Sequence, residues 1–280
     1  ASGAITGSVV NNTANGNNDG GITLFGSTIA GNVAGNTANL NGENGMNLET
    51  SSVGGVVKDN TFNFNGRHGF FRQGTNLNGF DNNTAVYNVE NGFLIQTSTV
   101  GGFDGNYAMG NGERGLLLNT GSINGDFTRN YYGFNGNDGA GLFTGPVTGD
   151  FTDNYFIGNV GDGFILRSGM FTGDFSRNFS TYNGGNGFTV EPNGFTGDFS
   201  LNIAAVNNVF GILYDDPAGA FSGNFTLNYA TGNDVLDDDG GVGISGTSGG
   251  GVGGGTTAGN VSFGNGDLTP ADQYEGFPTP

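Results

Sequence analysis

The stretch GDFTRNYYGFNGNDG, residues 125–139, carries the pattern that decides the fold. In it Phe127, Asn130, Asn135 and Gly139 follow one another at intervals of three, five and four residues. The same spacing returns along most of the chain in steps of 23 to 26 residues. A fixed period of this length is typical of repeat architectures, in which each unit stacks on the next. The sequence therefore predicts a stacked repeat fold.

Asparagine occupies two positions in each repeat. The first column consists of Asn12, Asn36, Asn60, Asn83, Asn106, Asn130, Asn154, Asn178, Asn202 and Asn228. Five residues later the second column consists of Asn17, Asn41, Asn65, Asn88, Asn111, Asn135, Asn159, Asn183, Asn207 and Asn233. Asn260 and Asn265 repeat the pair once more. Nine residues after the first column stand Gly21, Gly45, Gly69, Gly92, Gly115, Gly139, Gly163, Gly187 and Gly211.

Three apolar columns run between these markers and predict three inward faces. One lies three residues before the first asparagine and runs from Val9 to Phe225. Another follows the glycine, from Ile22 to Ile212, and the third runs from Ile5 to Phe221. Each repeat thus has three segments of about five residues, too short for helices and bounded by Gly, Asn and Asp.

Together these columns predict an all-β protein, a right-handed parallel β-helix (β-solenoid). We expect about ten rungs of 23–26 residues with three short strands per rung. Neighbouring rungs should lie about 4.8 Å apart. Right-handed winding is expected because parallel crossover connections favour that hand.

The asparagines are predicted to form a structural ladder. An inward amide can bond the identical amide one rung away, which satisfies groups that would otherwise be buried unpaired. Asparagine also tolerates the left-handed backbone of a sharp bend, and we expect that conformation here. The predicted ladder consists of Asn36, Asn60, Asn83, Asn106, Asn130, Asn154, Asn178 and Asn202.

Composition narrows the range of functions. Only 34% of the 280 residues are hydrophobic, so the core should be narrow, yet 25 phenylalanines argue against disorder. A formal charge of −18 opposes binding to nucleic acid or to anionic membranes. No apolar run approaches the roughly 18 residues that span a bilayer, so we expect no membrane insertion. The absence of cysteine excludes disulfides and thiolate metal sites.

The repeat pattern also divides the chain. We predict a β-solenoid over residues 1–236, a glycine- and aspartate-rich insertion over 237–256, and a last partial rung with a proline-containing tail over 257–280. Ile5 and Val9 already belong to the repeating columns, so no cap is expected before the first rung. The opening ASGA suits a mature terminus left by signal-peptide cleavage, which leads us to expect an extracellular or cell-surface protein.

Acidic residues form candidate sites. Asp126, Asp150, Asp174 and Asp198 share one column, and like charges at rung spacing repel one another unless calcium or another group compensates. The favoured alternative is that these side chains cap turns through backbone N–H groups. Further calcium candidates are Asp215, Asp216, Asp237, Asp238 and Asp239. Asp138 and Asp162, on adjacent rungs, are a candidate catalytic carboxylate pair or ordinary bend residues.

A last column lies one residue after the first asparagine. If the residues two and four past that asparagine point inward, this column faces outward. It begins with Thr13, Thr37, Thr61 and Thr84 and continues as a candidate binding stripe of Tyr107, Tyr131, Tyr155, Phe179 and Tyr229. Such a row could dock glycans or a neighbouring chain. Ice binding by the threonines and ordinary β-propensity are the other interpretations.

The segments FDGN, FTRN, FTDN, FSRN, FSLN and FTLN resemble the F-x-x-N repeats of polymorphic outer-membrane adhesins and autotransporter passengers. The resemblance covers residues 5–236 and implies a right-handed parallel β-helix at a bacterial surface. Related scaffolds also carry polysaccharide lyases and hydrolases, but a fold does not fix a function.

The expected function is structural. We expect an extracellular protein that assembles end to end with copies of itself into a surface or matrix filament, without catalytic residues and without a cofactor other than calcium. An adhesin or glycan-binding module is the alternative, and a polysaccharide lyase or hydrolase is the third.

Overall fold

The computed structural model describes residues 4–26, 28–215, 222–233, 244–246, 257–263 and 274–275. Within these ranges every regular element is a β-strand, and the strands form three parallel sheets. The predicted parallel β-solenoid is confirmed, with about nine turns. Its right-handed winding stays a prediction. In the described ranges there is no helix of the length and apolarity that a membrane crossing requires. Phe221, Asp216, Asp237, Asp238 and Asp239 lie outside the described residues.

Most rungs contribute one strand to each sheet, and we number the sheets in the order in which the chain meets them. In the first three rungs, single bridges at Thr13, Thr37 and Thr61 take the place of a sheet 2 strand. Sheet 1 contains Val9–Val10, Val33–Ala34, Val57–Lys58, Phe80–Asp81, Phe103–Asp104, Phe127–Thr128, Phe151–Thr152, Phe175–Ser176, Phe199–Ser200, Phe225–Thr226 and Thr257–Ala258. Sheet 2 contains Thr84–Val86, Tyr107–Met109, Tyr131–Gly133, Tyr155–Ile157, Phe179–Thr181, Ile203–Ala205, Tyr229–Thr231 and Val261–Phe263. Sheet 3 contains Ile22–Phe25, Met46–Val53, Phe70–Leu77, Phe93–Thr97, Leu116–Thr120, Ala140–Thr144, Phe164–Ser168, Phe188–Pro192, Ile212–Tyr214, Ile244–Gly246 and Tyr274–Glu275, and Thr99–Val100 pairs with its third strand.

Identical columns lie in register along the rod. Phe103 pairs with Phe127, and Phe127 pairs with Phe151. The rings of Phe127 and Phe151 are 4.9 Å apart between centroids and nearly parallel, at 8°. Stacked rings at rung spacing fill a narrow core that alternating aliphatic side chains would fill less well. The sheet 1 column is fully buried from Val33 to Phe225.

The prediction of three short strands per rung is confirmed, but the third strand is that of sheet 2 and not one formed by the apolar column that begins at Ile5. Most of its members form isolated parallel bridges, such as Ile29 to Val53 and Phe171 to Phe195. Bends flank these residues closely, so only one residue per rung reaches pairing geometry. The column still packs inward, because Ile29, Val147 and Phe195 have no exposed surface.

Both asparagine columns form hydrogen-bonded ladders. The backbone N–H and the side-chain Nδ2 of Asn130 both donate to Oδ1 of Asn154, at 3.0 and 2.9 Å. Asn135 donates in the same way to Asn159, at 3.1 and 3.0 Å. The second Nδ2 hydrogen reaches a backbone carbonyl of the preceding rung, such as Phe103 for Asn130. Each ladder amide therefore satisfies buried groups on the two neighbouring rungs.

The left-handed bend lies one residue earlier than predicted. Positive φ angles occur immediately before the ladder asparagines, as at Arg129 (54°) and Phe134 (56°), and no buried ladder asparagine adopts one. The bend turns the chain so that the following amide points inward. Asparagine is therefore required at the ladder for its hydrogen bonds and not for its backbone tolerance.

Candidate functional site

The outer surface of sheet 2 is free of charge. In each of the ten repeats, the segment from the first ladder asparagine to the second contains no Asp, Glu, Lys or Arg, although the chain has 25 acidic and 7 basic residues. On this surface two columns of side chains run along the rod. One lies on the strands of sheet 2 and the other on the bend that follows them. The surface is therefore the candidate functional site.

The strand column contains the predicted binding stripe. Tyr107, Tyr131 and Tyr155 lie in register, followed by Phe179, Ile203 and Tyr229. Tyr155 is 47% exposed and the other aromatic members are half-buried. The rings of Tyr107 and Tyr131 stack at 5.0 Å and 13°, so each covers a face of the other. Their shared faces serve packing along the column, which leaves mainly ring edges and hydroxyls for a ligand.

The bend column, which we call the bend stripe, comprises Leu40, Phe64, Tyr87, Phe134, Tyr182 and Val206. These residues stand four positions past the first ladder asparagine, where strand alternation predicted an inward side chain. That prediction is wrong, because each adopts a φ between 55° and 57° and turns outward. The exposed fractions of Phe64, Tyr87, Phe134 and Tyr182 are 53, 51, 57 and 66%.

The aspartates of the predicted calcium column lie on the bend before sheet 1 and accept hydrogen bonds from backbone N–H groups. Oδ1 of Asp126 accepts from the backbone N–H of Asp150 at 3.0 Å, and Asp150 and Asp174 accept in the same way from the next rung. Asp198 accepts from the backbone and side chain of Asn224. These bonds are those of the favoured turn-capping interpretation. Calcium binding stays a prediction; within the described ranges no three or more His, Cys, Asp or Glu residues group to hold a metal ion.

Asp138 and Asp162 belong to another capping column, which sequence reasoning missed. It lies eight residues after the first ladder asparagine, and its acceptors for the next backbone N–H are Asn44, His68, Asn91, Asp138, Asp162 and Asn186. Their common spacing is the one feature of the sequence that could have identified this column, because the residue types differ.

The two aspartates have distinct surroundings. Arg114 Nε lies 2.7 Å from Oδ2 of Asp138, whose residue is only 4% exposed. The Thr189 hydroxyl donates to Oδ2 of Asp162 at 2.7 Å, and burial raises the pKa of this carboxyl. Both carboxylates therefore cap bends, and Asp138 is buried where a solvated position was considered.

Four further arginines, Arg67, Arg129, Arg167 and Arg177, pair with acidic residues on adjacent rungs. Arg177 Nη2 lies 2.9 Å from Asp153 Oδ2, and Arg129 pairs with Asp104. Hydrogen bonds from these arginines lower the pKa of both aspartates. The pairs are exposed, and such contacts stabilise a fold weakly. They neutralise charge on the bend before sheet 2 rather than form a basic cluster.

Arg72 is the buried residue that the sequence does not predict. It occupies an inward position of sheet 3 between Leu48 and Ile95 and has no exposed surface. Its guanidinium donates to the backbone carbonyls of Leu48, Gln73 and Asn76. Burial lowers its pKa to about 10. Its place in the period, the one that Leu48 and Ile95 occupy on the neighbouring rungs, is the signal that could have identified it.

Replacing Arg72 with methionine is expected to destabilise the protein by about 1 to 3 kcal/mol, because an apolar side chain of similar volume leaves the carbonyls around the guanidinium without its donors. The unfolding midpoint in urea measures the change. Arg72→Ala is the control, and we expect a larger loss because it also leaves a cavity. A midpoint for Arg72→Met at or above that of the wild type would contradict this account.

Comparisons with known proteins return no match. A scan against family models, a search of curated proteins and a search of solved structures each find no significant similarity to this chain. The F-x-x-N segments are thus a resemblance in pattern only. A β-solenoid with asparagine ladders is compatible with a structural repeat protein. Any finer function has to be argued from the surfaces of the solenoid itself.

Proposed function

We propose that the protein is a structural component of the cell exterior that assembles end to end with copies of itself into a surface or matrix filament. The first described rung carries this proposal. Its inward residues Ile5, Val9, Ile22 and Leu24 are only partly buried. One rung on, the equivalent Val33 of sheet 1 has no exposed surface. These side chains thus offer an apolar face on which a further rung could stack.

The polar groups of this rung also support stacking. Asn12 and Asn17 donate to Asn36 and Asn41, so both ladders reach the first rung. Within the described residues no donor is bonded to Oδ1 of Asn12 or Asn17, although every ladder asparagine from Asn36 to Asn228 accepts two bonds there. A further rung with asparagines in the same register would satisfy these acceptors. Since every rung offers that register, copies could add without closing into a ring.

Assembly is testable by size-exclusion chromatography combined with negative-stain microscopy. We expect concentration-dependent filaments that elongate along the solenoid axis. Val9→Lys should abolish them, because a charge on an inward position of an edge rung opposes strand addition. Val160→Lys is the matched control, since Val160 is 69% exposed in the middle of the rod. Uniform monomers of the wild type at all concentrations and salt conditions would refute the proposal.

An extracellular location is part of the proposal. A chain without cysteine has no thiol that an oxidising environment could modify. A net charge of −18 favours solubility of the rod in salt. Fractionating the source cells and probing the surface with antibody would test it. Intracellular protein alone would contradict this part.

The second candidate function is that of an adhesin or glycan-binding module. The uncharged, aromatic surface of sheet 2 and its bend favours it, because exposed aromatic rows commonly mark binding surfaces. Saturable binding of a polysaccharide by the purified protein is its test, and the following section gives the site and the ligand class.

A further inference from the structure

Over five consecutive rungs the position of the bend stripe alternates between aromatic residues and glycine. Along consecutive rungs it reads Tyr87, Gly110, Phe134, Gly158 and Tyr182, all with positive φ. The backbone N–H of each of these residues donates to the carbonyl of the residue just before the equivalent position one rung on, so the five residues lie in one line. Each aromatic ring is therefore two rungs from the next, a separation of about 9.6 Å at a rung spacing of about 4.8 Å.

Two of the rings lie over the glycine of the next rung. A Cβ placed on Gly158 would lie 2.7 Å from Cε1 of Phe134, and one on Gly110 would collide with the ring of Tyr87. Because Gly110 and Gly158 have no Cβ, they leave room for the aromatic ring of the preceding rung. The rings reach along the rod axis and leave about half of each residue exposed.

The aromatic residues occupy these bends at an energetic cost. A left-handed conformation is strained for an L-residue, and glycine or asparagine avoids most of this strain. Gly110 and Gly158 show that the bend accepts glycine. The same conformation occurs before the first ladder, as at Arg129, so strain alone does not mark a binding site. What distinguishes the bend stripe as a candidate for recognition is the exposure of its rings, which is 51, 57 and 66% for Tyr87, Phe134 and Tyr182.

We propose that the bend stripe binds an extended, uncharged polysaccharide of the β-1,4-linked type. The inference rests on the second candidate function, glycan binding, and names its site and ligand class. In such a chain alternate sugar rings turn the same face to one side, so every second sugar could pack its apolar face on one of the rings spaced two rungs apart. Pyranose faces and aromatic rings are complementary apolar surfaces.

The distribution of charged residues favours an uncharged polysaccharide as the ligand. The segments 130–136, 154–160 and 178–184, which carry Phe134 and Tyr182, contain no charged residue. Glu90 and Glu113 are the acidic residues nearest to Tyr87 and Gly110 along the chain, and the net charge of the protein is −18. A polyuronate or a sulfated glycan would be repelled.

A shallow depression lies at the amino-terminal end of the stripe. Its volume is about 520 Å³, and its lining includes Leu40, Phe64, Tyr87, Gly42 and Gly66. The rings of Phe64 and Tyr87 stack at 5.5 Å one rung apart, so Phe64 lies outside the two-rung spacing. Cβ atoms on Gly42 and Gly66 would collide with backbone carbonyls of the preceding rung, which explains the glycines here. Of the three rings at two-rung spacing, Tyr87 is the one that borders this depression.

The test measures binding of cellohexaose by calorimetry and retention of the protein on microcrystalline cellulose. We expect saturable binding by the wild type and at least a tenfold weaker association for Tyr87→Asn/Phe134→Asn/Tyr182→Asn. Asparagine tolerates the left-handed bend, so the thermal midpoint of this variant should be unchanged or higher. Loss of binding would then not reflect loss of fold. Tyr131→Ala/Tyr155→Ala, on the neighbouring column, is the matched control and should bind as the wild type does.

Several results would overturn the inference. Undiminished binding by the triple variant, with loss in the Tyr131/Tyr155 control, moves the site to the strands of sheet 2 while glycan binding stands. Stronger retention on polygalacturonate than on cellulose refutes the neutral ligand class. If the wild type retains neither polysaccharide, glycan binding itself fails, and filament formation is judged separately by microscopy.

Discussion

Asn130→Leu is expected to destabilise the protein by about 3 kcal/mol or more. In the middle of the first ladder, Oδ1 of Asn130 accepts from the backbone and the side chain of Asn106, both at 2.9 Å. Leucine has a similar size but offers no polar group. The substitution leaves the Asn106 donors, the Phe103 carbonyl and Oδ1 of Asn154 short of partners in a buried site, and each such group costs about 1 to 3 kcal/mol. Urea unfolding followed by circular dichroism measures the loss.

Asn12→Leu is the matched control for this substitution. Asn12 is exposed and bonds along the ladder only to Asn36. Water can reach the groups that it leaves, so we expect a loss of less than about 1 kcal/mol. Equal losses for Asn12→Leu and Asn130→Leu would show that the ladder does not act through buried hydrogen bonds.

Gly139→Ala is expected to cost about 2 to 3 kcal/mol. A Cβ at this position would lie 2.5 Å from the backbone oxygen of Gly163 and 2.8 Å from the ladder amide Nδ2 of Asn159. Neither group can move without breaking contacts between rungs, so the rungs themselves would have to separate. The φ of Gly139 is not in the left-handed region, and the penalty therefore comes from close approach alone. Thermal unfolding by calorimetry measures it.

Gly7→Ala controls for the intrinsic effect of the substitution. Gly7 is exposed, and a Cβ there would meet nothing within 4 Å. Its replacement should change stability by less than about 1 kcal/mol, with a slight gain expected from lower entropy of the unfolded chain. A neutral Gly139→Ala would mean that neighbouring rungs can shift apart at little cost.

The periodic columns made most of the fold predictable. Asn130 and Phe127 recur with their neighbours at one spacing, and stacking in register is the only simple way to bury all of them. The ladder hydrogen bonds follow from the chemistry of an amide that is both donor and acceptor. Wherever a strand continues, the repeat period alone predicts which columns of side chains point inward. Tyr132 is an example, and it is fully buried.

The same reasoning failed where the chain leaves the strand. At Tyr87 and Phe134, alternation predicts an inward side chain, but the left-handed bend turns it outward. Aromatic residues are rare in the left-handed conformation, so residue propensities do not predict it at these positions. Arg72 was missed for another reason. Its position in the period is that of a core leucine, and only three-dimensional contacts reveal that backbone carbonyls surround it.

The asparagine ladders give the molecule a net dipole component along the axis of the rod. From Asn36 to Asn207, each side-chain amide donates to the amide of the following rung and accepts from the amide of the preceding one, so their dipoles are aligned in both columns. Carbonyl oxygens consequently point to the amino-terminal face of the rod, and aligned hydrogen bonds polarise one another. Two rods that met by their amino-terminal faces would oppose oxygen to oxygen. A fibre built from such rods would therefore be unidirectional, with a distinguishable front and back.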